Sequence, residues 1–230
     1  MEKSVTLENK GRSRMDTKKM VTLAVMTALA YMAMLFFRIP VVLFLKYEPK
    51  DVIIAIGGFM YGPLASLLMS AVVSLVEMVT TSDTGPIGAL MNFIGTSAFA
   101  CTAALIYKRI RSIKGAVIGL VCGTVLMTLI MLAWNYLVTP IYMGTPRDVV
   151  AGMLLPAFLP FNLLKGALNS GIAMLIYKPL SNIMRKAHLL PESSLSGAES
   201  GGRMKKYAFV YVIAGFVIAT CAAVIIIWNL

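Results

Sequence analysis

Acidic residues are scarce in this chain: 10 Asp and Glu stand against 21 Lys and Arg among 230 residues, and charged residues of both signs make up only 13%. Average soluble domains carry about 25%, so no water-facing surface of ordinary composition can be built here. Histidine occurs once, as His188, and the three cysteines, Cys101, Cys122 and Cys221, stand singly inside apolar segments. Neither a disulfide framework nor a Cys/His metal site follows from that pattern. The dipeptide Gly-Lys is absent, and with it the loop that cradles ATP phosphates. There is no HExxH, no GxSxG and no pair of carboxylates within an apolar segment, so the usual intramembrane hydrolases are excluded. The chain is therefore expected to be neither an enzyme nor the carrier of a cofactor. A retinal protein needs a lysine deep in its last helix, and the last apolar run contains none. The two halves show no inverted repeat, which argues against a self-contained secondary transporter.

What is present is apolar mass, 59% of the residues. It comes in long blocks, several of them reaching the ~20 residues needed to cross ~30 Å of hydrocarbon. In lipid the backbone must satisfy its own hydrogen bonds, and blocks rich in Leu, Ala, Met and Val without strict alternation select helices over a closed barrel. The fold class is an all-α integral membrane protein. The formal net charge of +11 does not imply nucleic acid, because the bases flank the apolar runs, where they retain loops on the cytoplasmic side. The basic segment 1–17 is expected in the cytoplasm, and the first apolar run reads as a retained span.

Spans are expected at about Met20–Phe37, Ile87–Tyr107, Gly115–Val138 and Pro160–Tyr177, the last entered through a Pro-marked segment from Val149. Between them, Val52–Val79 is apolar apart from Glu77 and contains Tyr61-Gly62-Pro63. Read as two helices hinged at Gly-Pro, this run leaves 16 Lys and Arg inside and four outside (Arg38, Lys46, Lys50 and Arg147). Read as one helix, it leaves seven inside and 13 outside. The positive-inside rule selects two helices, and residues 18–180 thus form a six-helix membrane domain. Residues 181–206, with PESSLSGAESGG at their centre, have linker composition. Residues 207–230 supply a seventh span that places the C-terminus outside, and Gly215, Ala219 and Ala223 form a small-residue stripe on it suited to helix packing or simply facing lipid.

Polar side chains in a bilayer are costly, so their positions are informative. With this topology Glu77, Asn92, Trp134, Asn135, Asn162 and Lys165 gather at the outer ends of four spans, above inner halves that are almost entirely apolar. That describes a pocket open to the outside and closed below rather than a channel. Roofed by the loop from Phe44 to Asp51, it suits a small molecule with a planar apolar part and several hydrogen-bonding groups. Trp134, Tyr136, Tyr47 and Phe161 offer stacking surface. Each residue also has a purely structural reading: Glu77 with Lys165 as an ion pair, Trp134 and Tyr136 as an aromatic belt, Asn92 and Asn162 as interhelical glue.

The segments FLKYEPKDV at 44–52, MYGPLAS at 60–66, NFIGT at 92–96, WNYLVTPIY at 134–142 and LPFNLLKG at 159–166 together resemble the S components of energy-coupling factor (ECF) vitamin transporters, within them the riboflavin-specific members. The likeness covers about Lys18 to Lys186. It implies a six-helix S component that captures riboflavin outside a bacterial cell and docks on a coupling membrane protein with two ATPases. Asn135 and Lys165 match the residues that hydrogen-bond the flavin, Asn162 is the neighbouring Asn of the same segment, and Tyr47 falls in the covering loop. Ala24 and Ala28 match a small-residue face that meets the coupling protein. Two features depart from the pattern: the seventh span, and Glu77 where a neutral polar residue is expected. An S component for thiamine, pantothenate or a similar nutrient, or a membrane sensor or assembly protein, are the competing readings.

Overall fold

The computed structural model describes residues 17–42, 45–81, 85–186 and 204–229. The basic segment 1–16, most of the linker and Phe44 lie outside the described residues.

Helix α1 (Thr17–Phe36) leads into a two-stranded antiparallel hairpin, β1 (Ile39–Val42) and β2 (Leu45–Tyr47), with Ile39 opposite Tyr47 and Pro40 opposite Lys46. Then follow α2 (Lys50–Tyr61), α3 (Pro63–Thr80), α4 (Gly85–Arg109) and α5 (Ile113–Met143). The chain re-enters through α6 (Arg147–Met153) and a π turn (Leu154–Phe158) into α7 (Leu159–Lys186), and ends in α8 (Met204–Asn229). The structure is helical as expected, and the hairpin is its one addition among the described residues. It replaces what reads from sequence as a loop. The segment is short, rich in Val and aromatic residues and opened by a Pro on an edge strand, which is strand chemistry in too few residues to register as a pattern.

The apolar run from Val52 divides at Gly62, whose φ of +94° is a left-handed conformation that favours glycine, and Pro63 then opens α3. The two-helix reading therefore holds, but the helices are unequal. With 12 residues α2 is about 18 Å long, too short for ~30 Å of hydrocarbon. Ten of those 12 residues are buried, so α2 lies inside the bundle rather than against lipid. Five helical stretches are long and apolar enough to cross: α1, α3, α4, α5 and Arg147–Tyr177. The first domain thus keeps its expected six helices, five of them long and apolar enough to cross by themselves and α2 about half that length.

Packing between α4 and α5 is close because Gly119 and Gly123 of α5 face the backbone of Ala103 and Phe99 on α4. A Cβ at Gly119 would come within 2.7 Å of the Ala103 carbonyl oxygen, so the helix axes approach only with hydrogen there. The end of the bundle expected to face inside is closed by aromatic rings: Phe59 of α2, Tyr107 of α4 and Tyr177 of α7 pack with centroids 4.8–6.0 Å apart, and the two tyrosine hydroxyls meet at 2.5 Å. The half of the bundle on that side is less uniformly apolar than expected. Ser66, Ser70 and Ser74 repeat every four residues along the buried face of α3. The Ser66 hydroxyl donates to the Ile54 carbonyl and the Ser70 hydroxyl to the Phe93 carbonyl, so they tie helices together without opening a path.

On α8 the small-residue stripe does not pack into the bundle. Gly215, Ala219 and Ala223 are exposed, and the buried side chains are Ala214 and Cys221.

Candidate functional site

At the end of the bundle opposite the aromatic plug, α3, α4, α5 and α7 surround a cavity of about 280 Å³ next to the hairpin. Irregular backbone makes room for it. Pro140 interrupts the hydrogen-bond ladder of α5, and the π turn with Pro156 precedes α7, so both helices are loosened where the cavity opens.

Its apolar lining is sulfur-rich, with Met91, Met127, Met131, Leu45 and Phe161. Among its polar lining residues are Glu77 from α3, Asn92 from α4, Asn135 from α5, and Asn162 and Lys165 one turn apart on α7. These five were singled out from sequence, and the fold brings them to one cavity. The amides are held on their own helices: Asn135 Nδ2 donates to the Met131 carbonyl at 2.7 Å, and Asn162 Nδ2 to the Phe158 carbonyl at 2.8 Å. Thr139 in turn donates to Asn135 Oδ1 at 2.9 Å.

Trp134 and Tyr47 are placed elsewhere. Trp134 is adjacent to Asn135 on a helix that turns about 100° per residue, so when Asn135 faces the cavity Trp134 packs sideways against the apolar core. Tyr47 sits in a buried apolar cluster behind the hairpin and donates its hydroxyl to Asn169 Oδ1 at 3.0 Å. Burial, and then the nearby Asp51 carboxylate, push its phenol up from the ordinary tyrosine range, so it remains a donor. Tyr136 is exposed with the Arg147 guanidinium 5.7 Å from its ring centre, and of the expected stacking residues Phe161 alone lines the cavity.

Two buried charge clusters support the polar lining residues. In the first, Lys50 Nζ pairs with Glu77 and lies 2.6 Å from Glu48 Oε2. Arg38 reaches the other oxygens, Glu48 Oε1 at 2.9 Å and Glu77 Oε1 at 3.4 Å, and donates to the Thr81 carbonyl. Asn92 Nδ2 adds a bond to Glu77 Oε1 at 2.9 Å. Glu77 is therefore not a bare acid beside a ligand: two cations and an amide hold it. It does not pair with Lys165, as one structural reading of the sequence had it. In the second cluster Lys165 Nζ stands 3.3 Å from Asp51 Oδ2. Asp51 also accepts from Thr96 Oγ1 at 2.6 Å and from Asn169 Nδ2 at 3.2 Å.

Sequence reasoning missed Lys50 and Asp51, both 1% exposed or less. Lys50 reads as a loop cation on the outside because it follows Lys46, Glu48 and Pro49. No local signal marks it, because the burial of α2 on all sides that makes a charge there costly is a property of the fold.

Ala24 and Ala28 lie exposed on α1, along an open apolar groove of about 510 Å³ shared with Leu68, Val72 and Val76 of α3. No group of His, Cys, Asp and Glu among the described residues is arranged to hold a metal ion.

Residues 18–177 match the family described as the substrate-specific component of ECF transporters. The chain is similar to the riboflavin transporter FmnP of Bacillus subtilis (strain 168), 30% identical over 189 residues that cover 76% of this chain and 100% of that protein. It is also similar to the riboflavin transporter RibU of Staphylococcus aureus (strain TCH60), at 27% identity over 76% of this chain and 98% of that one. The solved structure of the S component of a bacterial ECF transporter superposes with a TM-score of 0.63 and 29% identity, covering 74% of this chain and 98% of that one.

Proposed function

This chain belongs to the substrate-specific component family of ECF transporters, and from that premise we propose that its cavity captures riboflavin at the outer face of the membrane and carries it inward. A substrate-binding subunit of this kind is a transport component of the bacterial cell membrane, not an enzyme. The observation that carries the ligand assignment is the convergence of Asn135, Asn162, Lys165, Asn92 and Glu77 on one cavity that Met and Phe side chains also line. Riboflavin has one flat apolar face and an imide edge rich in acceptors and one donor. Its ring fits the Met and Phe lining while Asn135 and Lys165 read the imide and carbonyl edge and the remaining polar groups take the ribityl hydroxyls. The relatives that match over nearly their whole length carry riboflavin in their names, which supports the same reading.

In this proposal the hairpin covers the ligand, the N-terminus faces the cytoplasm and the C-terminus faces outside. Energy comes from two ATPase subunits through a membrane coupling protein that docks on the α1 face marked by Ala24 and Ala28. Hydrolysis there tilts the S component and releases riboflavin inside.

The test is optical. Purified protein should be yellow and should quench the fluorescence of added riboflavin. Colourless protein that leaves riboflavin fluorescence unchanged, yet binds thiamine or pantothenate, would reassign the cavity to that vitamin.

A further inference from the structure

Helix α8 lies beyond residues 18–177, the span that carries the family match. Its buried face is formed by Ala214 and Cys221 with the half-buried Val217, Ile218 and Ile225, a single stripe at helical spacing. That stripe has two neighbours. On α7 it meets Gly171, where a Cβ would fall 3.0 Å from Ile218 Cγ1 and 3.3 Å from the Ala214 carbonyl oxygen, so the two backbones nearly touch. Further along, Cys221, Val217, Ile218 and Ile225 join the apolar cluster of Val41, Leu45 and Tyr47 from the hairpin, Phe158 from the π turn and Phe161 from α7, and α8 touches β1 itself. Leu45 and Phe161 of that cluster also line the cavity. One continuous apolar body thus runs from α8 through the hairpin to the cavity wall.

A two-stranded hairpin of four and three residues has little stability of its own and takes its position from what it packs against. Resting on the reading that the cavity is the ligand site, we propose that α8 is a strap that seats the β1–β2 hairpin over the cavity and thereby sets how fast ligand enters and leaves. A contact that stabilises the seated hairpin equally with and without ligand slows entry and exit together and leaves the equilibrium nearly alone. The strap is therefore a kinetic device, and its signature is a change of both rates in the same direction.

The experiment uses the full chain with two independent perturbations away from the cavity. Gly171→Ile drives a wedge between α7 and α8, and the double variant Val217→Ala with Ile225→Ala trims the face that meets the hairpin. Riboflavin association and dissociation are followed by stopped-flow fluorescence, and hydrogen–deuterium exchange is measured on residues 39–47 of the ligand-free protein. Both variants should speed association and dissociation by about tenfold each, with Kd shifted by less than about threefold, and should exchange the hairpin amides faster. A faster dissociation with unchanged association, or wild-type rates and wild-type exchange in both variants, overturns the proposal. Wild-type protein that does not quench riboflavin would reject the ligand assignment instead, and hairpin exchange would still decide whether α8 is the strap.

Discussion

The Tyr47 hydroxyl on the hairpin and the Asn169 side chain on α7 meet at 3.0 Å across 122 residues of sequence. Asn169 passes the connection on to Asp51, and Asp51 to Lys165. The hairpin beside the cavity and one of the cavity-lining groups are thus joined by a chain of four side chains. Tyr47→Phe removes one link and leaves Asn169 Oδ1 short of a donor while keeping the ring in place. We expect it to weaken riboflavin binding by about 0.5–1.5 kcal/mol, the net worth of one such bond, measured by fluorescence titration. Unchanged affinity would mean that the chain is structural only.

Lys165→Met and Asn135→Leu remove polar groups from the cavity wall. Each should weaken riboflavin binding by about 1–3 kcal/mol, since the ligand then buries an unmet acceptor or donor. Near-wild-type affinity in both would place the ligand elsewhere.

Lys50 and Arg38 pair with the same two carboxylates, but the Lys50 side chain is 1% exposed and that of Arg38 23%. Removing the deeper cation strands buried negative charge that water cannot reach. Lys50→Met should therefore cost about 3–5 kcal/mol of stability, seen as a large fall in detergent melting temperature. Arg38→Met should cost distinctly less, and the reverse order would contradict this ranking by burial.

On the α1 face, Ala24→Leu with Ala28→Leu fills the open groove without reaching the cavity. Riboflavin binding should stay within about twofold while uptake into cells falls by about tenfold or more, as expected when bulk is placed in a close helix contact. Normal uptake would move the coupling protein to another face.

How far the sequence reveals this structure depends on what each residue costs in lipid. Asn135, Asn162 and Lys165 announce themselves because a polar side chain in an apolar run has few inexpensive explanations. Gly62 and Pro63 mark the hinge by backbone chemistry alone. Trp134 misleads because its neighbour Asn135 is the one that lines the cavity and a helix points adjacent side chains in different directions. Lys50 and Asp51 are hidden by position: they follow a charged turn, and nothing local says that the turn is drawn into the bundle. The hairpin is too short for alternation to show. The place of α8 rests on packing against Val41, Leu45, Tyr47 and Gly171, which no local pattern encodes.

The buried charges also impose an order on biosynthesis. Lys50 finds Glu77 after only 27 residues, so α2 and α3 can neutralise one another within roughly 1–5 s at about 5–20 residues per second. Asp51 stands next to it in the chain, but Asn169 comes 118 residues later, roughly 6–24 s at the same pace. For that interval an acid bound for the interior has the Thr96 hydroxyl as its earliest partner. The full set of partners of Asp51 is complete only once Lys165 and Asn169 of α7 have been made.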